Sequence, residues 1–444
     1  MISLARTIEY GFYLFLFLLP WQTRLIWREA RLNGFTWEYG RLSLYATQLL
    51  LLALLLLYGV WLARLGRLRL HKFTRLLARF REPAVLIYWF CVALVAVAGL
   101  SLLWALDVQI AYYRWLVLAQ AVALMSFVTL FDLKLEKIAV AFVASAAVQG
   151  IFAIWQFLTQ YVPANKWFGL AEHLSTIGGS IILQTDSERW LRAYGSLPHP
   201  NILAGWLVVG VLFLLYLALR ARTMSQRLFV LASLVAMVPA IFFTFGRSAW
   251  IALLFTLILL GFWLTRQPER QWRGPFWQII FLITLMTAIL GLNLSGPFVT
   301  RLQGIEPLEV NSIQLRFTFT EQAWQLIKHH PLGGVGIGNY TLGVQQEINS
   351  TWPGYYYQPV HNIFLLALAE LGLLGAVIFF SLLGMLLWTA SRSLRTLEQA
   401  VVLLGLVAAL TISLFDHYFW TLEFGVLFFW LLVGLNLKQL KRSS

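Results

Sequence analysis

The sequence predicts an all-α polytopic membrane protein: a single integral membrane domain over 1–444, with about 12 transmembrane helices and a large extracytoplasmic loop containing short helices. Three observations predict it. Hydrophobic residues make up 60% of the chain and charged residues 12%, far from the balance of soluble domains. Apolar runs long enough to cross a bilayer, about 20 residues each, recur from end to end. Basic residues gather between alternate runs, the pattern left by retention of Lys and Arg in cytoplasmic loops. That pattern accounts for the net charge of +14 without a nucleic acid partner.

In windows of about 19 residues the spans fall near 8–27, 43–63, 84–106, 112–131, 138–161, 202–219, 228–245, 248–264, 276–293, 361–388, 400–414 and 418–437. Pro20 and Arg24 interrupt the first, and the eleventh is short. Segment 64–81 carries Arg64, Arg67, Arg69, Lys72, Arg75, Arg79 and Arg81 and sets its side as the cytoplasm. Alternation then places 21 of the 33 Lys and Arg inside, together with both termini. Arg24, Arg28, Arg31 and Arg41 crowd the first outer loop against that rule. The expected location is the bacterial inner (plasma) membrane, with long outer loops at 162–201 and 294–360. Six of the seven histidines fall on the outer face and only His71 inside, the reverse of what an ATP-driven enzyme would need. The first twenty residues do not read as a signal peptide, since Glu9 precedes the apolar run and no small-residue cleavage site follows it. No internal repeat is visible, which disfavours transporter folds built from repeated halves. Cys91, the single cysteine, lies in an apolar run as a packing residue and excludes an internal disulfide or thiolate cluster.

The 294–360 loop is the largest place for aqueous chemistry. Within it, Ile313, Phe317, Thr320, Trp324 and Ile327 recur at spacings of three and four, predicting an amphipathic helix over 312–330 that Pro331 ends. Arg316 lies in its first turns, and Lys328, His329 and His330 in its last, where positive charge suits the helix dipole. Gly333, Gly334, Gly336 and Gly338 read as a turn, because no strand-turn-helix context makes them a phosphate cradle. Tyr355, Tyr356 and Tyr357 lead to His361 at the mouth of an apolar helix.

Arg247 stands at the outer junction of two apolar runs. Burying it there costs on the order of 1 to 3 kcal/mol depending on depth, so it should face a polar cavity or an anionic partner unless it snorkels to the headgroups. A diphosphate would serve, because guanidinium forks match phosphate oxygens. His361 is the candidate general base: imidazole titrates near neutrality, and a helix start keeps it neutral and able to accept a proton. Glu370 cannot orient it, since nine residues of helix put it about 180 degrees around and about 13 Å deeper. It reads as structural. Asp186 and Glu188 read as a solvated loop pair, so no metal site is expected.

Four stretches together resemble the O-antigen ligase and polymerase superfamily. Thr244-Phe245-Gly246-Arg247-Ser248-Ala249-Trp250 is similar to its Ser-Arg-Gly-Ala signature, with Gly246 in the usual serine position and Ser248 in the usual glycine position. Arg316, then Ala323-Trp324 and His330-Pro331-Leu332-Gly333-Gly334-Val335-Gly336-Ile337-Gly338-Asn339-Tyr340, resembles its loop motif. His361-Asn362-Ile363-Phe364-Leu365 with Glu370 and Gly372 resembles its His-Asn, Leu, Glu, Gly pattern, and Gly195-Ser196-Leu197-Pro198-His199-Pro200-Asn201 its first motif. The resemblance implies a GT-C-like, metal-independent inverting glycosyltransferase without a cofactor. It would move a glycan from undecaprenyl diphosphate to an acceptor hydroxyl, on lipopolysaccharide core or another cell-surface acceptor, at the outer face of the inner membrane. It further implies that His361 is catalytic and that Arg247, Arg316, Arg192, His199, Asn201 and Asn362 bind diphosphate or substrate. A polymerase joining lipid-linked repeat units is the alternative inside the superfamily. A lipid-linked glycan flippase or transporter is the alternative outside it, favoured by discontinuous helices and a second basic site on the inner side.

Overall fold

The computed structural model describes residues 2–64, 82–185 and 188–443. Arg67, Arg69, His71, Lys72, Arg75, Arg79, Arg81, Asp186 and Ser187 lie outside the described residues. The chain is an all-α polytopic membrane protein. Its helices are α1 (Ile2–Leu18), α2 (Ala46–Arg64), α3 (Pro83–Leu100), α4 (Val108–Leu130), α5 (Leu135–Thr159), α6 (Pro200–Ala218), α7 (Met224–Phe243), α8 (Arg247–Thr265), α9 (Arg273–Asn293), α10 (Ser295–Gln303), α11 (Pro307–His329), α12 (Tyr340–Glu347), α13 (Ile363–Arg392), α14 (Leu397–Ser413), α15 (Tyr418–Thr421) and α16 (Glu423–Ser443). Among the described residues ten helices are long and apolar enough to cross a membrane, and the shorter α1 and α14 stand at the first and eleventh expected spans. Two helices show differences from expectation that matter here. The first helix runs earlier and stops before Pro20, and the last begins at Glu423 after a break at Leu422, so residues 418–421 form a separate turn of helix.

The helix ends follow from local chemistry. Thr223 with Gln226 and Thr396 with Gln399 form capping boxes. Asp107 caps α4, and Pro83 and Pro200 occupy first-turn positions where no amide is needed. The least apolar span, α16, is also the one buried throughout. Its polar groups are satisfied by protein: Asn436 Nδ2 donates to the Val402 carbonyl at 3.1 Å, and Lys438 Nζ to that of Phe131 at 2.5 Å. Lipid-facing α9 shows the opposite, with Phe281, Ile289 and Leu292 exposed. A helix needs an apolar outer surface only where lipid touches it.

The polar loops converge at one end of the bundle. After α1, strands β1 (Arg24–Arg28) and β4 (Leu42–Tyr45) pair antiparallel around a smaller hairpin of β2 (Arg31–Leu32) and β3 (Phe35–Thr36). Its two-residue tip, Asn33-Gly34, has φ of 50° and 81°, the combination a tight hairpin requires. Asn33 Nδ2 donates to the Ser350 carbonyl at 2.7 Å and Trp37 Nε1 to Thr341 Oγ1 at 3.2 Å, so the hairpin roofs part of the large loop.

Within that loop the amphipathic helix forms as α11, starting at Pro307 rather than 312 and ending before Pro331 as expected. The glycine run lies along α13 and fills a break in it. Gly372 leaves the helical region (φ 62°, ψ −168°), and the freed groups are met by the run: Val335 N–H donates to the Ala369 carbonyl at 3.0 Å, Gly336 N–H to that of Glu370 at 2.9 Å, and Leu373 N–H to that of Pro331 at 2.8 Å. A Cβ on Gly334 would lie 2.3 Å from the Glu370 carbonyl carbon, and one on Gly372 would lie 2.1 Å from the Leu332 oxygen. The run is a backbone seam. Glu370, buried beside it, accepts from Trp420 Nε1 at 2.8 Å and makes no bond to His361. α13 is thus discontinuous, but its broken carbonyls are already occupied by this chain's own amides.

Candidate active site

The site is built on the α7–α8 turn, Thr244-Phe245-Gly246. Phe245 takes a left-handed φ of 47° although it is a large, fully buried residue, a conformation that costs on the order of 1 to 3 kcal/mol unless its surroundings hold it. Two arginines supply that hold: Arg192 Nε donates to the Thr244 carbonyl at 2.6 Å and Arg301 Nε to the Phe245 carbonyl at 2.8 Å. Gly246 has an ordinary negative φ, but a Cβ there would sit 3.2 Å from Ala204 Cβ, so it lets α6 approach the turn. The next residue is Arg247, the first of α8, half-buried as expected of a guanidinium at an apolar junction.

Arg247 Nη2 lies 3.3 Å from Glu309 Oε2, while Arg301 Nη1 binds Glu309 Oε1. One carboxylate in the first turn of α11 is therefore shared by two guanidiniums. Two turns further along α11, Arg316 reaches the Phe415 carbonyl at 3.4 Å. Burial first, then repulsion from Arg301, pushes the Arg192 guanidinium well below the usual arginine range. Burial and Arg247 act on Arg316 in the same direction. Arg301 is also lowered, by burial first, despite the attraction of Glu309. Three of the four guanidiniums are thus lowered by burial, against the attraction of Glu309 and Asp416.

His361 sits beside this cluster, just before the α13 N-cap. Its ring stacks on Phe319 of α11 (centroids 5.9 Å, planes 7° apart) and meets His417 edge-on at 5.0 Å. His361 Nδ1 is buried with no hydrogen-bond partner. Burial, ahead of the neighbouring His417, lowers its pKa to about 3, so the ring is neutral. The helix dipole is expected to favour the neutral form, and burial and the neighbouring His417 act in that same direction. His417 is also lowered by burial; its Nδ1 pairs with Thr421 Oγ1 at 2.8 Å and its Nε2 with Tyr39 Oη at 3.4 Å. Burial opposes ionisation of Asp416, but His417, His361 and His199, with a hydrogen bond from Asn201 Nδ2 at 3.1 Å, hold its carboxyl below the usual range.

The remaining sequence candidates take supporting places. Asn201 accepts from Arg192 Nη2 at 2.7 Å and donates to Asp416, joining the arginine cluster to the histidine pair. His199 caps α6, its Nδ1 accepting from the Asn201 N–H at 3.0 Å, and burial lowers its pKa to about 3. Asn362 caps α13, its Oδ1 accepting from Phe364 and Leu365 N–H at 2.9 and 3.1 Å. Its oxygen is committed to the helix, whereas Arg247, Arg316, Arg192, His361, His199 and Asn201 are brought together. Sequence reasoning missed Arg301, Glu309, Asp416 and His417. The last two carried a usable sign, an ionisable pair between two apolar runs, the same logic that singled out Arg247. Among the described residues no group of three or more His, Cys, Asp or Glu could hold a metal ion.

An apolar groove of about 1130 Å³ runs between α8 and α9 and ends under α10. Thr265 and Trp277 line its far end, Leu257 and Ile280 its middle, and Phe298 and Leu302 its near end, one residue from Arg301. The 19 residues of α8 rise about 28 Å, close to the hydrocarbon thickness of a bilayer. A molecule with a long apolar tail and an anionic head fits this layout, with the tail along α8 and α9 and the head among the arginines.

Two comparisons bear on these features. Residues 232–380 match the model of the O-antigen ligase family, a segment that carries Arg247, Arg301, Glu309, Arg316 and His361. The chain is also similar to the general O-oligosaccharyltransferase of Acinetobacter baylyi, 24% identical over 282 residues, which is 60% of this chain and 46% of that protein. The chain spans about half the length of the curated relative it matches.

Proposed function

We propose that this member of the O-antigen ligase superfamily is a metal-independent, inverting glycosyltransferase that transfers a glycan from undecaprenyl diphosphate to an acceptor hydroxyl at the outer face of the inner membrane. One observation carries the reading: Arg192, Arg247, Arg301 and Arg316 gather with two carboxylates, Glu309 and Asp416, beside His361, whose Nδ1 has no hydrogen-bond partner, and Arg301 directly precedes Leu302 in the lining of the apolar groove. The relative's name, an O-oligosaccharyltransferase, supports transfer of an oligosaccharide to oxygen.

In this reading Arg247 and Arg316 grip the diphosphate and neutralise the charge that grows on it as the sugar C1–O bond breaks. The acceptor hydroxyl attacks C1 from the opposite face, inverting it, while His361 takes the hydroxyl proton. Asp416, near both His361 and His417, stabilises the imidazolium that forms, and the proton then leaves to water. Undecaprenyl diphosphate departs along the groove. The arginines do the charge neutralisation for which other lipid-carrier transferases use a metal, so transfer should survive EDTA.

The test is purified protein in lipid with an undecaprenyl-diphosphate oligosaccharide and a candidate acceptor, scored by gel mobility. One added block marks a ligase, and a ladder marks a polymerase. Loss of transfer in EDTA with recovery in magnesium would reject metal independence. Movement of the lipid-linked glycan across a bilayer without any transfer would reject the enzyme in favour of a transporter.

A further inference from the structure

Glu309 is an odd resident for a diphosphate site. It is 7% exposed, its two oxygens face different arginines, and Oε2 has no hydrogen bond despite lying 3.3 Å from Arg247 Nη2. A carboxylate hydrogen-bonded well to a guanidinium is normally gripped by both oxygens in one plane. Here the anion is stretched between two forks, Arg301 on one side and Arg247 on the other. A phosphate group, with more oxygens and more charge, would satisfy both forks at once. Glu309 stands three residues into α11 from Pro307, behind a short connection that starts at Gly304 with a left-handed φ of 65°. A Cβ on Gly304 would lie in ordinary contact with Arg247 Nη1, 3.4 Å away, so what calls for glycine there is the left-handed turn.

We propose that Arg301 is a third arm of the diphosphate site and that Glu309 is the anion that holds its place until a phosphate arrives. In the unloaded protein the carboxylate keeps the Arg301 and Arg247 forks apart and partly neutralised. On loading, a phosphate of the carrier replaces it between them, and Glu309 turns away toward water. Arg301 suits this role because its Nε is already anchored to the Phe245 carbonyl, leaving the Nη groups aimed at the anion. The inference rests on reading the basin as the diphosphate site, and the experiment separates the two.

The probes are inorganic pyrophosphate and undecaprenyl diphosphate, with binding to the purified full chain in nanodiscs measured by calorimetry. If the carboxylate occupies the site about nine-tenths of the time, Glu309→Gln binds pyrophosphate about ten-fold more tightly than wild type. Its melting temperature without ligand falls, and added pyrophosphate raises it more than in wild type. Arg301→Lys, which keeps charge but loses the fork, binds at least about ten-fold more weakly. If Glu309→Gln is too unstable to purify, Glu309→Asp gives the same direction, because the shorter side chain cannot span both guanidiniums. Unchanged or weaker binding in the Glu309 variants, while Arg247→Lys still abolishes it, overturns the placeholder and leaves the diphosphate site standing. Failure of wild type to bind either probe overturns the site itself, and this inference with it.

Discussion

The loop end of this bundle holds two sets of arginines that composition alone cannot tell apart. In the first-loop hairpin Arg24 pairs with Glu38 at 2.7 Å and Arg41 with Glu29 at 2.7 Å and Glu38 at 2.8 Å, while Arg28 reaches out to Asp107 at the start of α4 at 2.7 Å. The carboxylates Glu29 and Glu38 are 61% and 43% exposed, so water shares the work. In the basin, the carboxylates acting on Arg192, Arg247, Arg301 and Arg316 among the described residues are Glu309 and Asp416, and three of the four are pushed toward their neutral forms by burial. In the hairpin three of the four arginines, Arg24, Arg28 and Arg41, each meet a carboxylate directly. The basin shows charge left uncancelled in a dry place, a cost that an anionic ligand would relieve.

The largest expected effect divides the basin itself into a part that binds and a part that takes the proton. His361→Ala removes a positioned base and should lower transfer about 100-fold to 10,000-fold, while undecaprenyl diphosphate binding by the four arginines stays within about two-fold. Rate measurements on the purified variant at saturating donor check the first half, and calorimetry the second. Near-wild-type turnover would mean that another group, or the substrate, accepts the proton.

Next come Arg247→Lys and Arg316→Lys. Lysine keeps the charge but cannot present two parallel donors to a phosphate. Each change should therefore lower turnover on the order of 100-fold, the scale of losing one preorganised donor. A lysine reaches the headgroups as well as an arginine does, so near-normal turnover of Arg247→Lys would reduce that residue to an interfacial anchor. A loss confined to Arg247 would leave Arg316 as part of α11 only.

These two sets differed in how far the sequence could reveal them. Arg247 and His361 stood out because each is a polar residue at the edge of an apolar run, where desolvation makes its presence expensive, and Arg316 stood out in the first turns of the amphipathic helix of the large loop. The α11 helix was legible from its spacing, although it starts at Pro307, ahead of the expected 312. Arg301 and Glu309 were not legible. Their meeting depends on the turn at Gly304 folding α10 back on α11, and nothing local in 294–310 requires that. Asp416 and His417 lay in plain view in the short linker between the last two expected spans, but nothing in their spacing ties them to His361, 55 residues upstream. The glycine run was correctly expected to be a turn, but its partner is the break at Gly372, a pairing with no sequence periodicity to announce it.

The basin's dryness also sets a pH dependence that the hairpin lacks. Because burial lowers His361 to about 3, the base stays unprotonated in the free enzyme well below pH 6.5. The acid limb of kcat/KM should lie far under that value, whereas the limb of kcat should lie higher, since a bound diphosphate favours the imidazolium. His199, also lowered to about 3, adds a stability term of definite sign. The unfolded chain takes up protons near pH 6.5 that the folded chain refuses until about 3, so stability should fall steadily as pH drops through that window. A kcat/KM profile that bends at pH 6.5 would show that the ring is hydrated rather than buried.

The smallest effect tests the hairpin side of the comparison. Arg41→Gln removes two ion pairs at once, but both partners are largely in water, where such pairs contribute about 0 to 1 kcal/mol each. Glu29 and Glu38 left behind lose little, because solvent replaces the guanidinium, and Glu38 keeps Arg24 at 2.7 Å. The strand pairing of β1 with β4 is made by backbone groups and does not depend on the side chain. Turnover should therefore match wild type within about two-fold, and the melting temperature should shift by a few degrees at most, less in high salt because exposed pairs are screened. A loss of transfer comparable to Arg247→Lys would place the hairpin in the path of a substrate. Local pairing of its charges would then no longer distinguish structural arginines from those that hold a ligand.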